Sequence, residues 1–342
     1  MKNVIKVLVF IILVVVIIYK LGTVFTPRYA TYDIIPGYNN LPKNSLDALF
    51  IGDSDVYSDI SPMEMFEKYG YTSYNYASPA ASNMLMYYML KEALKTQTPK
   101  VVIMDGTTIF GNYESDGMRR QATDLMPLDD VKWDLLNDSA YNFSLREKVS
   151  LIFPFFRYHD RWNKINGIDF TKLKSSDSYG KGYIFLSDKK KTQYNDGYMK
   201  KDSESIDFKN SNQPDSVIKA KELCDSKGIK FLFVTLPDAT SWSYEKYEKL
   251  KSWTSDNNID YLDYNVLIND INLDFSTDSV DNGMHLNISG AIKVSNYMGN
   301  YLVNNYGLTS HKDDDNSENF RNDLAKYNDT RDSYLKNLVN NN

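Results

Sequence analysis

The chain holds three histidines, His159, His285 and His311, and one cysteine, Cys224. A lone cysteine excludes an internal disulfide, a cysteine zinc cluster and a CxxC redox pair. The dispersed histidines lack metal-ligand spacing. There is no P-loop and no dinucleotide fingerprint, so no metal and no cofactor is expected. Two motifs could carry chemistry. In Phe50-Ile51-Gly52-Asp53-Ser54, the serine falls at a strand-to-helix turn. Its backbone N–H then lies at a helix N-terminus, where developing negative charge is stabilised. A plain Ser/Asp helix cap is the alternative. In Asp281-Asn282-Gly283-Met284-His285-Leu286-Asn287, a histidine precedes a helix cap, with acids upstream. Such an acid can fix the imidazole tautomer and stabilise the imidazolium. A surface histidine in a loop is the alternative.

These motifs need a scaffold, and the sequence spells one out. Apolar runs at Asp47–Ile51, Tyr74–Tyr76, Lys100–Met104, Ile229–Thr235 and Ile259–Tyr264 predict strands. Between them, helices are predicted from Ser61-Pro62, from Ser82 or Asn83 to about Thr96, over Asp215–Ser226 and over Ser241–Trp253. A last domain helix begins at Asn287 or Ser289 and reaches about Tyr306. Strand–helix alternation with near-continuous apolar strands indicates an α/β fold, a parallel sheet covered on both faces. In such sheets the reactive groups sit beyond the carboxyl ends of the strands.

Three regions stand outside this plan. Val7–Tyr19 is unbroken apolar, preceded by Lys2 and Lys6, and no small-x-small cleavage triplet follows. This reads as an uncleaved transmembrane anchor over residues 1–27 with the remainder exported. Residues 28–309 form the domain, with an insert at about 110–214 that includes a polar stretch from Ser175 to Asn212. The charged tail, 310–342, reads as one exposed helix (Asn319–Leu338) or as disorder, with His311 in solvent. A net charge of −6 argues against nucleic acid as a partner. The cluster Arg157-Tyr158-His159-Asp160-Arg161-Trp162 offers arginines and aromatic faces for a glycan or acyl-donor groove. The alternative is an amphipathic helix whose arginines pair with acids one turn away.

Together the motifs resemble the SGNH/GDSL hydrolase superfamily, over roughly residues 46–110 and 215–306. Within it the chain is most similar to the membrane-anchored branch of DltD-like and alginate-acetylation-like proteins. The resemblance implies a three-layer α/β/α, flavodoxin-like, mostly parallel sheet, with Ser54 as nucleophile and His285 as base. The block often written N-x-G-x-x-G maps to Asn75-Tyr76-Ala77-Ser78-Pro79-Ala80, with Ala80 as a backbone oxyanion donor. The block G-x-N-D maps to Gly106-Thr107-Thr108-Ile109, which puts Thr108 where the family has asparagine. The D-x-x-H block puts Asn282 where the acid is expected, so Asp281 or Asn282 orients His285. Asp53, Arg157, His159 and Trp162 are the substrate-binding candidates. The implied activity is O-acyl transfer, acetyl foremost, to or from a cell-envelope or secreted polysaccharide, beside a membrane-bound O-acyltransferase. A surface carbohydrate esterase and a catalytically weakened glycan-binding scaffold are the alternatives.

Overall fold

The computed structural model describes residues 1–111, 114–171, 178–187, 198–200, 206–208 and 212–340. Most of the polar stretch Ser175–Asn212 therefore lies outside the described residues. The chain begins with α1 (Lys2–Phe25) and α2 (Ile34–Asn39), then β1 (Ala48–Gly52). Next come α3 (Ser54–Asp59), α4 (Pro62–Tyr69), β2 (Ser73–Ala77), α5 (Asn83–Ala93) and β3 (Val101–Asp105). The insert supplies α6 (Asp116–Thr123), α7 (Asp130–Asn137), α8 (Leu145–Ile152), α9 (Phe155–Tyr158) and α10 (Gly167–Thr171). Then follow α11 (Asn212–Ser226), β4 (Lys230–Thr235), α12 (Tyr244–Asp256), β5 (Asp260–Asp263) and α13 (Phe275–Asp278). A short antiparallel pair, β6 (Ser279–Val280) and β7 (His285–Leu286), precedes α14 (Ile288–Tyr306) and α15 (Glu318–Asn340).

The main sheet has the order β2-β1-β3-β4-β5 and every pairing is parallel. Alternate residues of each strand enter different cores, because strand side chains point to opposite faces in turn. Leu49, Ile51, Val102, Met104, Phe231 and Phe233 join the core beneath α5 and α11. Ala48, Phe50, Val101, Ile103, Leu232 and Val234 join the core beneath α3, α4 and α14. The result is a three-layer α/β/α fold in the flavodoxin-like strand order. The connection after β1 runs on one face and the connection after β2 on the other. This leaves a crevice beyond the carboxyl ends of β1 and β3.

The insert also seals a sheet edge. Residues 178–187 run beside β2, where the Asn75 N–H donates to the Lys181 carbonyl at 3.0 Å. The Ile184 N–H then donates to Tyr57, and the Leu186 carbonyl accepts from Ile288 at the start of α14. Gly182 permits this close approach: its φ is +85°, and a Cβ there would meet the Asn75 carbonyl oxygen at 2.2 Å.

The tail, read as one exposed helix or as disorder, is a helix that is packed rather than exposed. α15 docks on α4, burying Phe320 5.1 Å from the Phe66 ring. The Tyr327 hydroxyl meets Ser61 at 2.6 Å and Glu64 at 3.0 Å, and Arg331 bridges Glu64 and Glu67. The tail's few apolar residues form one stripe, and burying that stripe orders an otherwise polar helix. His311 is not simply in solvent either. Its N–H donates to Gly70 at 2.7 Å, and its Nε2 lies 3.4 Å from Asp47. At the other end, α1 is long and apolar enough to cross a membrane.

Candidate active site

Ser54 stands first in α3, just past the carboxyl end of β1. Asp53 caps this helix, its Oδ1 accepting from the Asp55 N–H at 3.0 Å. Gly52 is required by packing. A Cβ there would sit 2.2 Å from Val56 and 3.0 Å from Asp105.

His285 reaches the same place from the far end of the chain, because β7 packs against α3. Two contacts fix its ring. Asp281 Oδ2 lies 2.6 Å from Nδ1, and Asp281 Oδ1 accepts from the His285 N–H at 3.0 Å. The turn that folds Asp281 back is left-handed at three successive residues, with φ of 43° at Asp281, 69° at Asn282 and 89° at Gly283. Asp, Asn and Gly tolerate that region better than other residues, so the motif's residue types serve the turn as well as the ring. Asn282, the alternative orienting group, is exposed and makes no contact with the imidazole.

The outer ring nitrogen departs from the expected pattern. His285 Nε2 is buried without a hydrogen-bond partner and lies 3.5 Å from Asp55 Oδ1. It therefore makes no hydrogen bond to Ser54. Asp55 and Asp59 are four residues apart and share the face of α3 turned to β7. Asp59 Oδ1 accepts from the Leu286 N–H at 2.9 Å, which anchors the histidine strand.

Below the serine lies a buried acidic floor that sequence reasoning missed. Oxygens of Asp53, Asp55 and Asp105 lie within 4.8 Å of one another, and Asp59 is fully buried nearby. These three carboxylates are the set among the described residues that could hold a cation. The signal was present as Asp53-x-Asp55-x-x-x-Asp59, but only the β1–β3 pairing adds Asp105. Burial pushes Asp53 up to about 6 and Asp59 to about 7, and Asp55 and Asp105 well above the carboxylate range. Burial alone would lower His285. The Asp281 hydrogen bond and the Asp59 charge outweigh it and raise the imidazole above 6.5.

A stability effect follows. The folded state holds the Asp59 proton more tightly than the unfolded chain does. That contribution is complete below about pH 4 and is lost as pH climbs through about 7. Asp59→Asn mimics the protonated form. It is expected to be near neutral at pH 4 and stabilising by about 1–2 kcal/mol at pH 8, read from denaturant melts at both values.

The other sequence-derived candidates divide. Ala80 lies in the turn after β2 with φ +49°, and its N–H has no protein acceptor among the described residues. The Thr108 hydroxyl is turned away from an oxyanion role, donating to the Ala81 carbonyl at 3.3 Å. Arg157, His159 and Trp162 are not brought to Ser54. Arg157 and His159 border a separate cleft with Asp116, Arg120 and Arg146, and Trp162 is 71% exposed. The arginine pairing also differs from the one-turn alternative: Arg157 meets Asp116 at 3.7 Å and Arg161 meets Asp169 at 3.5 Å. That segment packs against the end of α1, which explains why it is absent from the crevice.

No protein-family model matches the sequence, and no curated protein matches it. Among solved structures, the chain is similar to a Bacteroides fragilis protein described as a "putative acylhydrolase". The match covers 82% of this chain and 100% of that one, at 10% identity and a TM-score of 0.40. At those values the two chains share a partial correspondence of shape.

Proposed function

We propose that the protein is a serine-dependent O-acyl hydrolase or transferase, with Ser54 as nucleophile and His285 as its base. One observation carries the reading. A serine at a helix N-terminus and an imidazole held by an acid at 2.6 Å come from opposite ends of the chain to one crevice of a parallel sheet. Ser54 Oγ attacks the acyl carbonyl while its proton passes to His285 Nε2. Asp281 stabilises the imidazolium, and the Ser54 and Ala80 N–H groups receive the developing oxyanion. The C–O bond to the leaving alcohol breaks, and that alcohol takes the proton from His285. Water or a sugar hydroxyl then attacks the acyl-serine, giving its proton to His285, which returns it to Ser54. Before the first step His285 Nε2, which has no hydrogen-bond partner, must turn to the Ser54 hydroxyl.

The finer reading is acetyl transfer to or from an envelope or secreted polysaccharide on the outer side of the membrane, with a membrane-bound acyltransferase supplying the acyl group. The apolar α1 supports a tether, which would raise the enzyme's effective concentration where the donor arrives.

A fluorophosphonate tests the chemistry. The folded full-length chain is expected to gain one covalent phosphonyl group, mapped to Ser54 by peptide mass and absent from Ser54→Ala. A folded chain that stays unlabelled at neutral and alkaline pH would leave the glycan-binding scaffold reading in its place.

A further inference from the structure

The end of α1 is gripped by the insert. Gly22 is buried, and a Cβ there would lie 3.2 Å from Pro154, just ahead of α9. Phe25 meets the Phe155 ring edge-on at 5.1 Å. The Arg161 guanidinium donates to the Phe25 carbonyl and pairs with Asp169 of α10. Ahead of this grip, residues 2–17 are all exposed. At about 1.5 Å per residue that exposed length is about 24 Å. A bilayer's hydrocarbon core is about 30 Å thick. A spanning α1 thus has no spare length, and whatever grips its last turns is drawn to the lipid surface.

The gripping elements are built for such a position. In α10 the usual pattern is inverted: Asp169 is 3% exposed, while its neighbours Ile168 and Phe170 are 57% and 60% exposed. Trp162 and Phe156 are 71% and 48% exposed on the adjoining turn and α9. Four large apolar side chains left outward within fifteen residues are unusual on a water-facing surface. Between Leu145 and Phe170, basic residues outnumber acidic ones by five to three, in a chain of net charge −6. Exposed aromatic rings interleaved with arginine and lysine are the composition of a membrane interface.

We propose that this face, formed by Phe156, Trp162, Ile168 and Phe170 with Arg157 and Lys164, is seated in the headgroup layer of the bilayer that α1 spans. The domain is then held at the membrane with one fixed side down rather than swinging on a tether. The proposal rests on α1 being a membrane span and is independent of the chemistry at Ser54. The outward aromatic face continues the apolar surface of α1, which is why lipid is its occupant.

The test uses the full-length chain in bilayers of phosphatidylethanolamine and phosphatidylglycerol. Cys224 is buried, with its thiol pushed up to about 12, so thiol labelling reports introduced cysteines. An environment-sensitive fluorophore is placed by Trp162→Cys and, separately, by Phe170→Cys. Val9→Cys reports α1, and Glu248→Cys on α12 reports a surface without contact to α1. Each variant is first checked for an unchanged melting curve. Lipids brominated near the headgroup end are expected to quench the labels at 162 and 170 by about twofold or more, and to leave 248 unquenched. Quenching at 9 with none at 162 and 170 overturns the proposal while the anchor stands. No quenching at 9 overturns the anchor and the proposal together. Labels at 162 and 170 that are blue-shifted yet unquenched by bromine would mean a second copy covers the face, which also overturns it.

Discussion

Ser54→Ala is expected to lower turnover of an activated acetyl ester by about 10³-fold or more, with the fold unchanged. The loss is large because no neighbouring group can replace the nucleophile. Burial and the nearby Asp53 and Asp55 charges hold the Tyr57 hydroxyl well above the usual phenol range, so it is a poor source of an anion. Burial holds Asp55 well above the usual carboxylate range, which keeps it protonated. The measurement is initial rate against substrate, with circular dichroism to confirm folding. An alanine variant that keeps the parent's rate would exclude Ser54 as nucleophile.

Asp281→Asn is expected to have the next largest effect, a fall in kcat of about 10²–10⁴-fold. A base must be neutral to accept the serine proton. The native imidazole is raised, so the rate should climb with pH through a limb lying above 6.5. The amide removes the strongest raising influence. Burial, which lowers the group, then faces only the more distant Asp59 and Asp53 charges. The limb should therefore move to lower pH while the plateau drops. A purely structural role for Asp281 would lower the plateau and leave the limb in place. Asn282→Ala should change turnover by no more than about threefold, since Asn282 does not touch the ring. A large loss there with none at Asp281 would reverse the assignment.

The strands were legible because parallel strands buried on both faces read as continuous apolar runs, as Leu49–Ile51, Val101–Met104 and Phe231–Val234 do. The two motifs were legible as local patterns, and the fold brings Ser54 and His285 to one crevice. The acidic floor was not legible. A carboxylate at a strand or helix end ordinarily faces water, and only the strand order puts Asp105 beside Asp53. Nor could sequence reveal that His285 Nε2 faces Asp55, since this depends on how β7 lies against α3. The docking of α15 was hidden by dilution. Phe320, Tyr327 and Leu338 are a sparse stripe in a segment rich in Asn and Asp, and their value depends on Phe66 far away in sequence. Arg157 and Trp162 misled for the opposite reason, since dense aromatic and basic composition suits a lipid surface as well as a glycan groove.

The docking of α15 on α4 also sets an order of events during folding. β1, β2 and β3 lie within the first third of the chain and can pair soon after they are made. α4 belongs to that early unit, yet its outer face and the Phe66 ring wait for the last helix to be synthesised. A contact spanning about 250 residues carries a high loop-closure entropy and forms late. Until then a half-made chain displays an aromatic patch, and so does a chain clipped near its carboxyl end. Exposed apolar surface of that kind on a partly made chain is what chaperones recognise.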